Sequence, residues 1–231
     1  GFSGMSLLQR WRLARARRRS ALPLQRRLLH EALPLPGARV ADLELVALDF
    51  ETTGLDAQRD HIVAAGWVLV RGDRIVMATA REIRVRNGNA EGVGQSAVIH
   101  GILDSDLTDA ESVESLVELL LPELAGRPII AHGAPIERAF LAALLRRMGG
   151  VPMPNQFIDT LGLERRLLEG AGGRVRELHG DLTLDACRAR RGLPDHQQHS
   201  AGADSIAAAE LFLAQVAELG GAQQVRLREL R

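Results

Sequence analysis

The fold is decided by one stretch, Leu45-Val46-Ala47-Leu48-Asp49-Phe50-Glu51-Thr52-Thr53-Gly54-Leu55. Its first half is a short apolar run, which is typical of a strand buried on both faces. Asp49 and Glu51 are two residues apart, so on a strand both carboxylates point to the same side. Two ionised carboxylates on a buried strand repel each other and are costly to bury without a partner. We expect a divalent cation to compensate them, and an edge strand with two solvated acids is the alternative.

The size and composition predict one domain of about 190 residues with an appendage. The chain has 231 residues and 46% hydrophobic content, enough for a full core without disulfides. Cys187 is the only cysteine, which excludes a disulfide framework and a cysteine-based zinc site. No apolar run reaches the roughly 18 residues of a membrane span, and the basic start lacks the pattern of a secretory signal. We therefore expect a cytoplasmic protein with no membrane partner.

The charge is unevenly distributed, although the net charge is zero and all 29 basic side chains are arginine. Residues 5–39 hold nine arginines and one acid, a net charge of +8, and the remainder of the chain is −8. This asymmetry predicts a domain with an acidic site preceded by a basic arm. Three interpretations of the arm stay open: a solvated helical pair packed on the domain, a nucleic-acid contact, or a docking site for another protein.

The periodicity and turn signals divide the chain into segments. We predict a tag remnant over residues 1–4, a basic helical arm over 5–40, the main domain over 41–220 and a C-terminal tail over 221–231. Predicted helices span residues 6–19, 22–33, 112–121, 135–148, 161–168, 182–191 and 201–219. Predicted strands span residues 43–50, 62–70, 74–85, 128–131 and 156–158. An antiparallel meander followed by alternating strands and helices predicts an α/β fold, a mixed central sheet with helices on its faces.

Further candidate residues follow the later strands. Glu137 lies just inside a predicted helix that follows a strand. Asp204 lies about one turn into the last helix, and His199 lies on the loop before it. A carboxylate fixed by a helix can hold a metal ion, and a histidine on a loop can reach a water molecule, which suits metal-assisted hydrolysis. Taken singly, each of these residues is common on a protein surface.

Together the motifs resemble the DEDD superfamily of 3′–5′ exonucleases, in the DEDDh branch that includes the proofreading epsilon subunit of bacterial DNA polymerase III. The first motif, residues 49–55, and the third, His199-x-Ala201-x-x-Asp204, match the family pattern. Residues 99–102 and 158–161 match segments common in the epsilon-like branch. The second motif departs from the pattern, since Glu137 stands where the family usually has Asp. We expect the longer side chain to alter metal affinity more than to abolish activity.

The resemblance implies a ribonuclease H-like exonuclease fold and a two-metal mechanism with Mg²⁺ or Mn²⁺. The product would be nucleoside 5′-monophosphates released from the 3′ end of DNA. The implied metal ligands, which are also catalytic residues, are Asp49, Glu51, Glu137 and Asp204, and His199 is the implied base. The implied substrate-binding residues are Phe50, Thr52, Thr53, Gly54, Leu55 and His100.

Two other functions stay open. A ribonuclease of the same fold would need contacts to the 2′-OH of the substrate, and no residue in the sequence indicates such a contact. A catalytically weakened module could dock on nucleic acid or protein through the arm; Glu137 favours this interpretation, and the other motif residues oppose it. The expected partners are a nucleic acid with a free 3′ end and a protein, such as a polymerase, bound by the arm.

Overall fold

The structure is a computed structural model that describes residues 7–86, 110–170 and 182–231, apart from the side chain of Gln9. Its helices are α1 (Leu7–Arg19), α2 (Pro23–Leu28), α3 (Val113–Leu124), α4 (Pro135–Arg147), α5 (Thr160–Gly170), α6 (Leu184–Ala189) and α7 (Ala201–Glu218). Its strands are β1 (Glu44–Thr52), β2 (Ile62–Arg71), β3 (Arg74–Arg84), β4 (Ile129–Ala131) and β5 (Phe157–Asp159). Short 3₁₀ helices span Val40–Asp42 and Leu227–Leu230. The predicted tag remnant, the segment 99–102 and His100 lie outside the described residues.

The five strands form one mixed sheet in the order β3-β2-β1-β4-β5. β1, β2 and β3 are antiparallel neighbours, and β4 and β5 run parallel to β1. Because parallel strands end at the same edge of a sheet, the carboxyl ends of β1, β4 and β5 meet there. The predicted α/β class with a mixed central sheet is confirmed.

Two hydrophobic cores cover the two faces of the sheet, because side chains alternate along β1. Val46, Leu48 and Phe50 belong to the core that also contains the buried leucines of α3 and α4. Leu45 and Ala47 belong to the other core, with residues of α5 and α7. Helices therefore lie on both faces, as predicted.

The arm and the C-terminal segment are parts of these cores. Leucines of α2 pack against the first core, and Gln25 is fully buried, donating from Nε2 to the Val151 carbonyl at 2.6 Å. Val225, Leu227 and Leu230 are buried in the second core. Residues before 40 and after 220 therefore contribute to the same two cores as the main domain.

Two helices end three or more residues from their predicted last residue. α2 ends at Leu28, short of the predicted Leu33, because the chain turns after Leu29, where the amides of His30 and Glu31 donate to the carbonyls of Arg27 and Leu28. α3 continues through Pro122 to Leu124, since Leu121 and Leu124 extend its buried face. Within the described ranges, no helix combines the length and the apolar character that crossing a membrane requires.

Candidate active site

The carboxyl end of β1 presents two acids on one side of the sheet. Asp49 is partly buried and Glu51 is buried. Their partners on β2 are Gly66 and Ala64, so the neighbouring strand has little side-chain volume beside the carboxylates. This arrangement leaves room above β1, and the beginning of α7 occupies it.

Gly66 allows α7 to approach the sheet closely. A Cβ atom at this position would lie 2.0 Å from the main chain of Ala201, the first residue of α7. No residue with a side chain fits there, so Gly66 determines how near Asp204, in the first turn of α7, comes to Asp49. The sequence signal for this role was a glycine inside an apolar strand, which often marks a close backbone approach, and our sequence reasoning missed it.

Glu82 holds the beginning of α7 from β3. It pairs with Gly66 across the sheet, and its Oε2 accepts hydrogen bonds from Ser200 Oγ at 2.6 Å and from the Gly202 amide at 2.8 Å. A carboxylate at a helix N-terminus also interacts favourably with the helix dipole. Sequence reasoning missed Glu82 too, because an acid on a half-exposed strand is unremarkable in sequence.

Three carboxylates converge at this point. One ligand oxygen from each of Asp49, Glu51 and Asp204 lies within 4.8 Å of the other two. Burial, and then the nearby charges of Glu137 and the other acids, raise the pKa of Asp49 well above its usual value. The carboxylates therefore repel one another when ionised, and a divalent cation would remove that repulsion. Oxygen ligands suit Mg²⁺ and Mn²⁺, so this donor set fits such an ion.

Glu137 lies beside the carboxylate cluster without belonging to it. It is in the first turn of α4 and is only 4% exposed. Burial, helped by the charge of Asp159, raises its pKa from 4.5 to about 8. Among the described residues its Oε2 has no hydrogen-bond partner. The structure thus brings three of the four predicted metal ligands together and leaves Glu137 next to them with an unsatisfied buried oxygen, as expected of a group that takes part in ligand binding.

Two histidines contact Asp204, and sequence reasoning identified one of them. The main-chain amide of His199, at a left-handed φ of 61°, donates to Asp204 Oδ2 at 3.1 Å, and its side chain is exposed. The ring of His196 contacts Asp204 Oδ1 through Nε2 at 2.7 Å. Its Nδ1 lies 3.1 Å from Asp185 Oδ1. Among the described residues this Nδ1 makes no hydrogen bond, so the ring holds Asp204 and only lies near Asp185. The sequence signal of His196 was its position three residues before the motif histidine.

The predicted substrate-binding residues divide into two groups. Thr52 ends β1, and Thr53 and Gly54 form the turn after it, with Thr52 Oγ1 donating to the Gly54 carbonyl at 2.7 Å. Leu55 follows this turn and is 81% exposed, so a large apolar side chain is open to solvent four residues after Glu51. Phe50, in contrast, is 7% exposed and packs in the core on the side of β1 opposite Asp49. Strand alternation therefore turns the Phe50 side chain away from the acids, and a contact between Phe50 and substrate stays a prediction.

An exonuclease family model of the ribonuclease T type matches residues 46–212, a range that contains the carboxylate cluster, Glu137 and both histidines. The chain belongs to this exonuclease family. The resemblance to the DEDD exonucleases is thereby confirmed, and the chain is a nuclease domain.

Curated members of the exonuclease family include bacterial polymerases. The DNA polymerase III PolC-type of Thermotoga maritima is 32% identical over 178 residues, which cover 74% of this chain and 12% of that protein. The PolC-type polymerase of Staphylococcus epidermidis strain RP62A is 28% identical over 178 residues, which cover 77% of this chain and 12% of that protein. The chain therefore spans about an eighth of the length of these relatives.

Solved structures of exonuclease I have the same fold. One superposes with a TM-score of 0.65 at 13% identity, covering 76% of this chain and 41% of that chain. The E. coli enzyme in complex with a dT13 oligonucleotide gives a TM-score of 0.63 at 12% identity, covering 77% of this chain and 42% of that chain. The predicted ribonuclease H-like exonuclease fold is confirmed.

Proposed function

We propose that this domain is a 3′–5′ exonuclease that removes nucleoside 5′-monophosphates from DNA with two divalent ions, Mg²⁺ or Mn²⁺. The observation that supports it most is the cluster of Asp49, Glu51 and Asp204, whose ligand oxygens lie within 4.8 Å of one another in an exonuclease fold. DNA is favoured over RNA because relatives are named as DNA polymerases and a structural neighbour holds a dT13 oligonucleotide.

The chain's acids would hold the ions. Asp49, Glu51 and Asp204 would bind one ion, and Glu137, with its unsatisfied oxygen, would contribute with Asp49 to the second. The ions would stabilise the negative charge that develops on the attacking and leaving oxygens of an in-line displacement. In that role Glu137 must be ionised, which the positive charge of an ion favours.

The remaining steps belong to side chains at the rim of the site. His199 takes the proton from the attacking water, whose oxygen bonds to phosphorus as the bond to the 3′ oxygen breaks. Solvent protonates that 3′ oxygen, which leaves a shortened strand and a 5′-monophosphate. His196 holds Asp204 in place through its ring. The exposed Leu55 offers an apolar surface to the terminal base.

Digestion of matched oligonucleotides tests this proposal. Single-stranded DNA, duplex DNA and RNA of one sequence, labelled at the 5′ end, are incubated with Mg²⁺, Mn²⁺ or EDTA, with Asp204→Asn as the control variant. We expect a ladder that shortens from the 3′ end of DNA, mononucleotide products and no reaction in EDTA. Faster cleavage of RNA would make the domain a ribonuclease, and oligonucleotide binding without any metal-dependent release would make it a docking module.

A further inference from the structure

A groove of about 810 Å³ lies against the edge strand β5, between the arm on one side and α4 and α5 on the other. Five arginines line it, and four of them come from three helices: Arg12 of α1, Arg138 of α4, and Arg165 and Arg166 of α5, the fifth being Arg231. The side chains of the four helical arginines are exposed. We call it the arginine groove.

The charges of the arginine groove are not neutralised within the part of the chain that the structure describes. There, no carboxylate forms an ion pair with any of the four guanidinium groups, whereas Arg190 and Arg191 both pair with Glu164. Arg166 donates to the main-chain carbonyl of Glu229 at 3.1 Å, and Arg138 lies 4.9 Å above the ring of Phe157. Unpaired guanidinium groups that surround one groove favour an anionic ligand.

The acidic side chain in this lining, Asp159, forms no ion pair with the four arginines within the described ranges and is held by the main chain instead. Asp159 Oδ1 accepts hydrogen bonds from the main-chain amides of Gly133 and Ala134, at 2.9 Å and 3.3 Å. This concentration of positive charge also contrasts with residues 40–231, whose net charge is −8. The background charge of the domain therefore does not explain the groove.

One end of the arginine groove lies next to the active site. Ala134 and Pro135, which line it, are the N-cap and the first residue of α4, and Glu137 is in the same helical turn. A strand whose 3′ end reaches the acids can therefore continue into the groove. Pro34, Pro36 and Pro154 in the lining add apolar surfaces against which bases can pack.

We propose that the arginine groove binds the phosphates of single-stranded nucleic acid on the 5′ side of the cleaved nucleotide. The proposal rests on the proposed exonuclease function. An acidic peptide would also neutralise the arginines. A nucleic-acid strand bound at the active site is the better match, because the groove adjoins that site and the strand carries both regularly spaced phosphates and flat apolar bases. The groove then gives the arm a substrate-binding role, because Arg12 comes from α1.

Binding of dT16 tests the proposal without requiring cleavage. Fluorescence anisotropy is measured with Mg²⁺ in an Asp49→Asn background, which keeps the oligonucleotide intact. Arg165→Gln/Arg166→Gln is compared with Arg26→Gln/Arg27→Gln, an equally exposed adjacent pair on α2 that does not line the groove. Losing two phosphate contacts should weaken dT16 binding on the order of 10- to 30-fold at 0.1 M salt and lower the salt slope by about 1.4. The α2 pair should change either quantity far less.

Further arms separate a binding role from a structural one. Arg165→Lys/Arg166→Lys keeps the charge and should recover most of the affinity, whereas a folding defect would not be rescued. A dinucleotide is too short to reach the groove, so the groove substitutions should not change its cleavage by the active enzyme. If no protein, wild type included, cleaves the dinucleotide, the proposed exonuclease function is refuted, and the dT16 affinities alone then test the groove. Equal dT16 affinities for the two Gln pairs would overturn the proposal. The proposal would also be overturned if polyglutamate displaced labelled dT16 at a lower concentration than unlabelled dT16 does.

Discussion

Replacing Glu137 by Gln tests the electrostatics of the site before any activity is measured. In the folded protein the pKa of Glu137 is about 8, against an ordinary value of 4.5. A group whose pKa is raised by folding favours the folded state below its unfolded pKa, and that contribution is lost as the pH rises through the folded pKa. Without metal, wild type should therefore lose stability between about pH 4.5 and pH 8.

The magnitude follows from the size of the pKa shift. At about 1.4 kcal/mol per pKa unit, the raised pKa of Glu137 costs the folded state about 1 kcal/mol at pH 5 and about 4 kcal/mol at pH 8. Glu137→Gln stays uncharged at both pH values, so in EDTA it should be more stable than wild type by these amounts. For a protein of this length, 4 kcal/mol corresponds to a rise of roughly 8 °C in melting temperature.

Thermal unfolding followed by circular dichroism in EDTA, at pH 5 and pH 8, measures the effect. Adding Mn²⁺ should stabilise wild type more at pH 8 than at pH 5, because the ion binds ionised carboxylates. The same ion should stabilise Glu137→Gln less, and the variant should also cleave DNA more slowly. Equal melting temperatures of the two proteins in EDTA at pH 8 would show instead that Glu137 is an ordinary solvated acid.

Other substitutions separate chemistry from positioning. His199→Ala should reduce turnover by roughly 10²–10⁴-fold while calorimetry still detects Mn²⁺ binding; lost binding would make His199 a ligand. His196→Ala should weaken Mn²⁺ binding and slow cleavage, and His196→Gln, whose amide can replace Nε2, should restore both; a Gln variant no better than Ala would contradict the positioning role. Gly66→Ala should lower the melting temperature and the cleavage rate together, because α7 must move away from β1; an unchanged crystal structure with normal activity would refute it.

Much of the fold could be predicted because local patterns and tertiary packing agree along most of the chain. The apolar run before Asp49 and the alanine-rich α7 have one reasonable interpretation each, and both elements form where predicted. The errors lie where packing overrides a local signal. Pro122 usually ends a helix, but the buried leucines of α3 hold the next turn in place.

In the candidate site, only the residues whose chemical type and spacing indicate a role could be predicted from the sequence. Asp49, Glu51 and Asp204 are acids in a recognisable spacing, and the structure brings them together. Gly66 and Glu82 fix the position of α7 against the sheet. That role depends on which residues pair across β2 and β3, and a single sequence does not specify this register. For the same reason the ring contact of His196 could not be foreseen from its position near the motif.

We propose that carboxylates converging between β1 and α7 make this domain a metal-dependent exonuclease. Single-turnover cleavage of 5′-labelled single-stranded DNA with Mn²⁺, by wild type and by Asp204→Asn, tests it most directly. Asp204→Asn keeps the size of the side chain and removes its charge, so it should fold as wild type does. We expect mononucleotide release from the 3′ end by wild type and a rate at least ~100-fold lower for the variant. Equal rates for the two folded proteins would contradict the claim.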